Sequence, residues 1–421
     1  MLGALGLPAA AACSGTLRSR DAADILARAE AAATEADFWF EIARAFTVDR
    51  SLINLNNGGV SPSPAYVQEA MRGHLELSNE APAYTMWRIL EPRRETVRQR
   101  LASFNGVDPE EIAITRNASE GLQTCQLGFD LAPGDQVLTT NQDYPRMITT
   151  FRQRERREGI ELVQFSIPTP CEDPAEVVRR YEAHVTERTK LILVSHMVFL
   201  TGQILPVKEV TALGRKHGIP VVVDGAHAFA HFDFRLGDLD VDYYASSLHK
   251  WLFAPHGTGL LYVRRDKIEG LWPLMAANES QAADIRKFEE IGTHPAANAL
   301  AIAEALTFHE GIGPARKAAR LVHLRDYWAD RLLRNDRVRL HTSQKPGFAC
   351  GIANVEVEGL DPGPLADWLW NEHRILVVAI QHEEFRGLRV SPSVYTTEPE
   401  LDRFCGAMET AMRDGVPESH S

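Results

Sequence analysis

Short apolar runs that each stop on a polar residue, with helical segments between them, constrain this chain more than any other feature. Val221-Val-Val-Asp224 ends an apolar run on a carboxylate, and Tyr243-Tyr-Ala-Ser-Ser247 leads into Leu248-His-Lys250. Runs this short, bounded by turn signals, suit strands buried on both faces. Ile112-Ala-Ile-Thr115, Gln136-Val-Leu-Thr139, Glu161-Leu-Val-Gln-Phe165, Leu191-Ile-Leu-Val194 and Gly259-Leu-Leu-Tyr-Val263 have the same character. Helical segments begin at about Ala118 and near Pro145. Repeated strand–helix units predict an α/β fold with a mostly parallel sheet covered by helices on both faces. Ligands on such sheets lie beyond the carboxyl ends of the strands. Asp224 and Lys250 both fall there.

With 421 residues the chain fits one large or two medium domains. Asp21 to Ala45 is rich in Ala and Glu at helical spacing and reads as one helix. Leu52-Ile-Asn-Leu-Asn-Asn-Gly-Gly59 reads as a short strand entering a glycine turn. After about Thr307 the texture changes. A long helix is expected over Pro314 to Arg334, a half-buried strand over Gly351 to Val357, a helix over Pro364 to Glu372 and a strand over Ile375 to Ala379. The expected division is a leader at 1–18, an N-terminal part of a small domain at 19–62, a large cofactor domain at 63–307 and a smaller α+β domain at 308–421.

The formal charge of −12 argues against nucleic acid or an anionic membrane as the main partner. No apolar run approaches the roughly 20 residues that span a bilayer. The five cysteines are scattered without CxxC spacing, which suggests neither a disulfide framework nor a zinc site. The first fifteen residues resemble the apolar core and cleavage region of an export signal, with Cys13 where a lipid-modified cysteine would lie. They lack the preceding basic residues, the first being Arg18. A cytoplasmic location and export in folded form to the periplasm both remain open.

Asp224 and Lys250 lie 26 positions apart, each just past a strand. Such a pair is the minimal kit for pyridoxal phosphate. The lysine forms a Schiff base with its aldehyde, and the aspartate keeps the pyridine nitrogen protonated so that the ring accepts electrons. The phosphate needs backbone amides, hydroxyls and a helix N-terminus. Thr115-Arg-Asn-Ala-Ser-Glu-Gly-Leu-Gln123 supplies such a turn, with Ala118 and Ser119 as donors, although in isolation it reads first as an ordinary N-cap. Ser247 and His249 are further phosphate donors. Tyr144 is placed to stack on the ring, Ala226 to lie under its other face, and His227 to bond its phenolic oxygen. His227 and His231 have the i, i+4 spacing of half a metal site, but no third ligand completes it, so no metal is expected.

These motifs together resemble the class V aminotransferase family of fold type I pyridoxal phosphate enzymes, from about Leu52 to Thr397. The resemblance rests on Asp224-Gly-Ala-His227, Ser247-Leu-His-Lys250 followed by Gly257-Thr-Gly259, Glu290-Ile-Gly-Thr293, and Leu388-Arg-Val-Ser391 leading to Tyr395-Thr-Thr397. Leu55-Asn-Asn-Gly-Gly59 and Tyr144-Pro145 are most similar to the isopenicillin N epimerase-like branch. It implies a homodimer in which Thr293 reaches the phosphate in the neighbouring subunit. It also implies that Arg389 clamps the substrate carboxylate, with Asn57 on the same side and Tyr84 as a further candidate.

Two departures narrow the activity. Cysteine desulfurases of this family carry a nucleophilic cysteine before the substrate arginine, whereas Ala379 to Leu388 contains none, and Cys350 reads as a core residue. Val198 and Phe199 stand where many relatives place an asparagine, which leaves His196 an unassigned polar candidate. The expected function is an enzyme that binds an amino acid through pyridoxal phosphate and removes its α-proton, with epimerase or racemase activity first. Aminotransferase and carbon–sulfur lyase are the alternatives. A non-catalytic binding module is disfavoured because both Asp224 and Lys250 are present.

Overall fold

The computed structural model describes residues 22–416. A two-residue strand, β1 (Ile53–Asn54), precedes seven that build the large sheet: β2 (Ile112–Thr115), β3 (Gln136–Thr140), β4 (Glu161–Phe165), β5 (Thr189–Ser195), β6 (Val221–Asp224), β7 (Tyr243–Ser247) and β8 (Gly259–Val263). Their order is β2-β8-β7-β6-β5-β3-β4. The strands from β4 to β7 pair in parallel, and β8 runs antiparallel to both its neighbours. Alternate residues feed opposite layers, as the two-residue period of a strand requires. Ile192, Val194, Val221 and Val223 face one core, while Leu191, Leu193 and Val222 face the other. That two-sided burial is why these runs are apolar throughout.

The remaining strands are β9 (Val338–Leu340), β10 (Ala353–Val357), β11 (Ile375–Leu376), β12 (Val378–Gln381) and β13 (Arg386–Val390). Four form an antiparallel sheet in the order β12-β13-β10-β9, and β1 pairs in parallel with β11. The strand expected over Ile375 to Ala379 is thus two strands, broken at Val377, because its halves pair with different partners. Trp328, Leu365, Leu369, Phe404 and Met408 from the helices Pro314–Leu332, Pro362–His373 and Glu398–Asp414 close a separate core with this sheet.

The single N-terminal helix expected from the sequence is also two, Ala22–Glu30 and Glu35–Ala43. The Thr34 side chain accepts the Asp37 amide and so starts a second helix instead of continuing the first. Ile25, Phe38, Trp39 and Ile42 of these helices share a core with Phe308 and Ile312, whereas Ile53 and Leu55 join the core of the small sheet. Residues 22–62 therefore contribute to both cores. The expected leader with Cys13 lies outside the described residues. Among those described, no helix is long and apolar enough to cross a membrane.

Candidate active site

Thr115, Thr140, Ser195, Asp224 and Ser247 are the last residues of their strands and share one edge of the large sheet. A cavity of about 330 Å³ opens beyond that edge. It gathers Ala118, Ser119, Tyr144, Asp224, Ala226, His227, Ser247, His249 and Lys250, so every cofactor residue read from the sequence except Thr293.

Two glycines allow the walls to close. A Cβ on Gly225 would lie 2.0 Å from the Tyr244 ring, and one on Gly259 would lie 2.7 Å from the Asn117 backbone. Any side chain at Gly259 would push the turn before helix Ala118–Gly128 away from β8. Asn117 caps that helix by accepting the Glu120 amide at 2.9 Å. Ser247 Oγ accepts the Ala118 amide at 2.9 Å, which leaves the hydroxyl proton free. The Ala118 amide is therefore engaged within the protein, and Ser119 is the residue of this turn left to offer an amide to a ligand. His249 Nδ1 bonds the Thr258 carbonyl at 2.9 Å, so its other nitrogen is free.

Lys250 Nζ lies 2.8 Å from His227 Nε2. Burial lowers the lysine's pKa, the Asp224 charge opposes that shift, and Arg389 adds to it. Burial drives His227 far toward its neutral form, and the Lys250 charge reinforces this. Asp224 is buried and accepts the Ala226 amide at 2.9 Å. Burial raises its carboxyl pKa, against the pull of the Ala226 amide and Lys250. A buried carboxylate held above its ordinary range gains from a cationic ligand. The chain thus offers a carboxylate awaiting a positive charge, a lysine biased toward the neutral nucleophile, and a buried His227 Nδ1 without a partner. These features fit pyridoxal phosphate.

Tyr144 is held by its neighbour. Asp143 Oδ2 accepts from Thr139 Oγ1 at 2.6 Å and Thr140 Oγ1 at 2.7 Å, and its Oδ1 accepts from Ser195 Oγ at 2.6 Å. This bracket ties the loop after β3 to the end of β5. The Tyr144 ring meets Phe199 edge-on, with centroids 5.3 Å apart.

Arg389, on β13, is 6% exposed. It donates to the Phe199 carbonyl at 3.1 Å and to Asn56 Oδ1 at 2.8 Å, while its Nε has no partner. No carboxylate among the described residues forms an ion pair with it, and burial lowers its pKa to about 10.

Asn57, Tyr84, Thr293, His196, His231 and Cys350 do not line the cavity. Asn57 is fully buried, accepts Tyr395 Oη at 2.6 Å and donates to the Asn54 and Ser391 carbonyls. It braces the turn, and the neighbouring Asn56 is the residue that reaches Arg389. Tyr84 lies in the short helix Pro82–Tyr84, is 64% exposed and does not line the cavity of its own chain. Thr293 is likewise exposed, in a loop beside Trp87 and Ile291, away from that cavity. His196 is buried against Phe234 and bonded to Tyr244, outside the cavity. His227 and His231 sit in a turn and not on a helix. Both His231 nitrogens bond backbone groups, of His227 and Gly351. Cys350 is buried, and burial pushes its thiol up to about 12.

Sequence reading missed Ser195, Met197, Phe199 and Arg146, all of which line the cavity. Ser195 had a usable signal, since it extends the β5 run by one polar residue. Phe199 had none, because only the fold turns its loop toward Tyr144.

The class V aminotransferase family model matches residues 53–404. Isopenicillin N epimerase of Streptomyces clavuligerus is 31% identical over 389 residues, covering 88% of this chain and 98% of the relative. The enzyme of the same name from Amycolatopsis lactamdurans is 30% identical with the same coverage. A probable cysteine desulfurase of Synechocystis sp. is 24% identical over 86% of this chain and 91% of the relative. Among solved structures, the Escherichia coli cysteine desulfurase CsdA superposes with a TM-score of 0.77 at 20% identity, covering 89% of this chain and 98% of that one. A lysine-to-alanine variant of C-DES, with glycine covalently linked to its pyridoxal phosphate, gives 0.76 at 23% identity, covering 86% and 97%. The chain has the fold type I architecture and belongs to the class V aminotransferase family, whose cofactor is pyridoxal phosphate.

Proposed function

We propose that this enzyme moves the α-proton of an amino acid, and that its leading activity is epimerisation or racemisation in the manner of an isopenicillin N epimerase-like protein. The observation that carries the amino-acid reading is Arg389. A buried guanidinium with an unpartnered Nε and no carboxylate of its own is a receptor for a ligand carboxylate. Asn56 and the Phe199 carbonyl orient it.

Pyridoxal phosphate, when bound, supplies an aldehyde that captures amines and a ring that draws electrons from the captured α-carbon. Lys250 would hold the cofactor at rest and would serve as the base that takes the α-proton. His227, neutral and 2.8 Å from Nζ, keeps that amine in place and faces the cofactor's phenolic side. Asp224 holds a proton on the ring nitrogen by charge. Ser119, Ser247 and His249 would hold the phosphate, and Ala226 and Tyr144 would flank the ring. Thr293 completes the phosphate site of a second subunit, so the working form is a homodimer.

Inversion would need a proton delivered to the opposite face of the α-carbon by a donor other than Lys250. With the cofactor bound, the same α-proton removal would also be the first step of transamination or, where the substrate has a β-leaving group, of a lyase reaction. The absence of a cysteine between Ala379 and Leu388 speaks against the desulfurase outcome. The identities of 31% and 30% to the two epimerases favour inversion. Product analysis in deuterated water tests this directly. Inversion yields the opposite enantiomer with deuterium at the α-carbon and no 2-oxo acid. Accumulation of a 2-oxo acid without the opposite enantiomer would replace the epimerase reading with one of the alternatives.

A further inference from the structure

The charges of the cavity leave one group unused. Arg146 lines it together with Ser119, Tyr144 and Lys250. It is exposed and, among the described residues, forms neither an ion pair nor a side-chain hydrogen bond. It lies in the first turn of helix Pro145–Glu158, which has no acidic residue in that turn. The amides of a helix N-terminus already carry partial positive charge, so a cation there is unfavourable unless an anion sits nearby. Of the other four arginines of the helix, Arg152 pairs with Glu155 and Arg154 and Arg157 pair with Glu158, whereas Arg156, in the last turn and away from the cavity, forms no ion pair among the described residues. The loop carrying Arg146 is also fixed, since Asp143 ties it to Thr139, Thr140 and Ser195. The guanidinium therefore extends from a rigid base at the rim of the cavity.

We infer that Arg146 is an anion-binding residue of this site, paired when the cavity is filled with an oxyanion of one of its occupants. The inference rests on the proposed use of the cavity for pyridoxal phosphate and an amino acid. Two occupants offer that chemistry: the cofactor's phosphate, and a second acidic group on the substrate beyond the carboxylate assigned to Arg389. Either makes Arg146 distinct from Arg389. One guanidinium is buried and oriented by Asn56 and Phe199, and the other is free at the rim. The planar fork suits phosphate and carboxylate alike.

The two sources separate in one set of measurements on the purified enzyme. Arg146→Gln and Arg146→Lys are stripped of cofactor and titrated with pyridoxal phosphate and with pyridoxal, which lacks the phosphate, by near-visible absorbance. The reloaded variants are then titrated with alanine, aspartate, glutamate and 2-aminoadipate by spectral shift. If the phosphate is the partner, Arg146→Gln weakens pyridoxal phosphate roughly tenfold and leaves pyridoxal unchanged. If a substrate acid is the partner, cofactor affinity is unchanged, and a preference for acidic amino acids over alanine falls by a similar factor. Arg146→Lys retains part of the effect in each case. Unchanged cofactor affinity and unchanged amino-acid preference in Arg146→Gln overturn the inference. The proposed function fails by a different result, namely no spectral shift with any amino acid in the wild-type enzyme.

Discussion

Lys250 Nζ sits 2.8 Å from Nε2 of His227, and the two residues come from different strand ends, after β7 and after β6. Neither group has a surface lysine's or histidine's freedom. Burial favours the uncharged form of both, and the Lys250 charge further disfavours protonation of His227. The contact therefore keeps a neutral amine aimed across the cavity from Asp224.

Lys250→Ala is expected to abolish both the near-visible absorbance of the loaded enzyme and its turnover. Borohydride reduction followed by peptide mapping checks the assignment. Cofactor attached to any other lysine would falsify it.

The lowered pKa of Lys250 predicts a pH dependence of its own. The neutral amine reacts with the aldehyde, and depressing the pKa moves that form into the neutral range. The rate at which apo-enzyme takes up pyridoxal phosphate should rise through neutral pH and level off well before the roughly 10.4 of an ordinary lysine. Asp224 stabilises the charged amine, so Asp224→Asn should shift the rise to lower pH. A rate that still climbs at about pH 10 in the wild type shows that the amine is not depressed.

Asp224→Asn should also keep much of the bound cofactor while losing most α-proton exchange. The amide cannot hold a full charge on the ring nitrogen, and the remaining contacts belong to Ser119, Ser247 and Lys250. Solvent deuterium exchange measured by NMR gives the comparison. Near-normal exchange in the variant removes the role proposed for Asp224.

Arg389→Ala should cost roughly 2–5 kcal/mol of amino-acid binding, because a desolvated charge-assisted pair is lost. Arg389→Lys keeps the charge without the fork and should also be impaired. Cofactor absorbance should persist in both. The wild type should strongly prefer an amino acid over the amine that lacks its carboxylate, and Arg389→Ala should not. An undiminished preference in the alanine variant places the carboxylate on another residue.

Dimerisation is expected through the surface that presents Thr293, where Trp87 is 57% exposed beside Ile291. Sedimentation should show a dimer, and Thr293→Ala should lower cofactor affinity without dissociating it. A fully active, cofactor-loaded monomer refutes shared sites.

Much of this protein is legible in its sequence because buried parallel strands must be apolar along their whole length. The ends of β2, β4 and β8 fall where the apolar runs begin and stop, and Asp224 and Lys250 stand out because polar groups terminate such runs. The glycine and histidine motifs around them announce the cofactor for the same local reason. Contacts between distant segments leave no comparable trace. The sequence suggested Asn57 for the substrate side, yet its side chain is consumed by Tyr395, Asn54 and Ser391, and Asn56 turns to Arg389. Strand periodicity names two faces but not which neighbour the fold brings to each. Phe199 meets Tyr144, and Arg146 reaches the cavity rim, only because the loops after β5 and β3 converge there. The sequence by itself determined the buried strands and their polar ends, through burial along each strand, while the Asp224 and Lys250 pair and the motifs around it pointed to the cofactor. The tertiary structure decided which side chains complete the site, since those choices depend on packing between segments that share no local pattern.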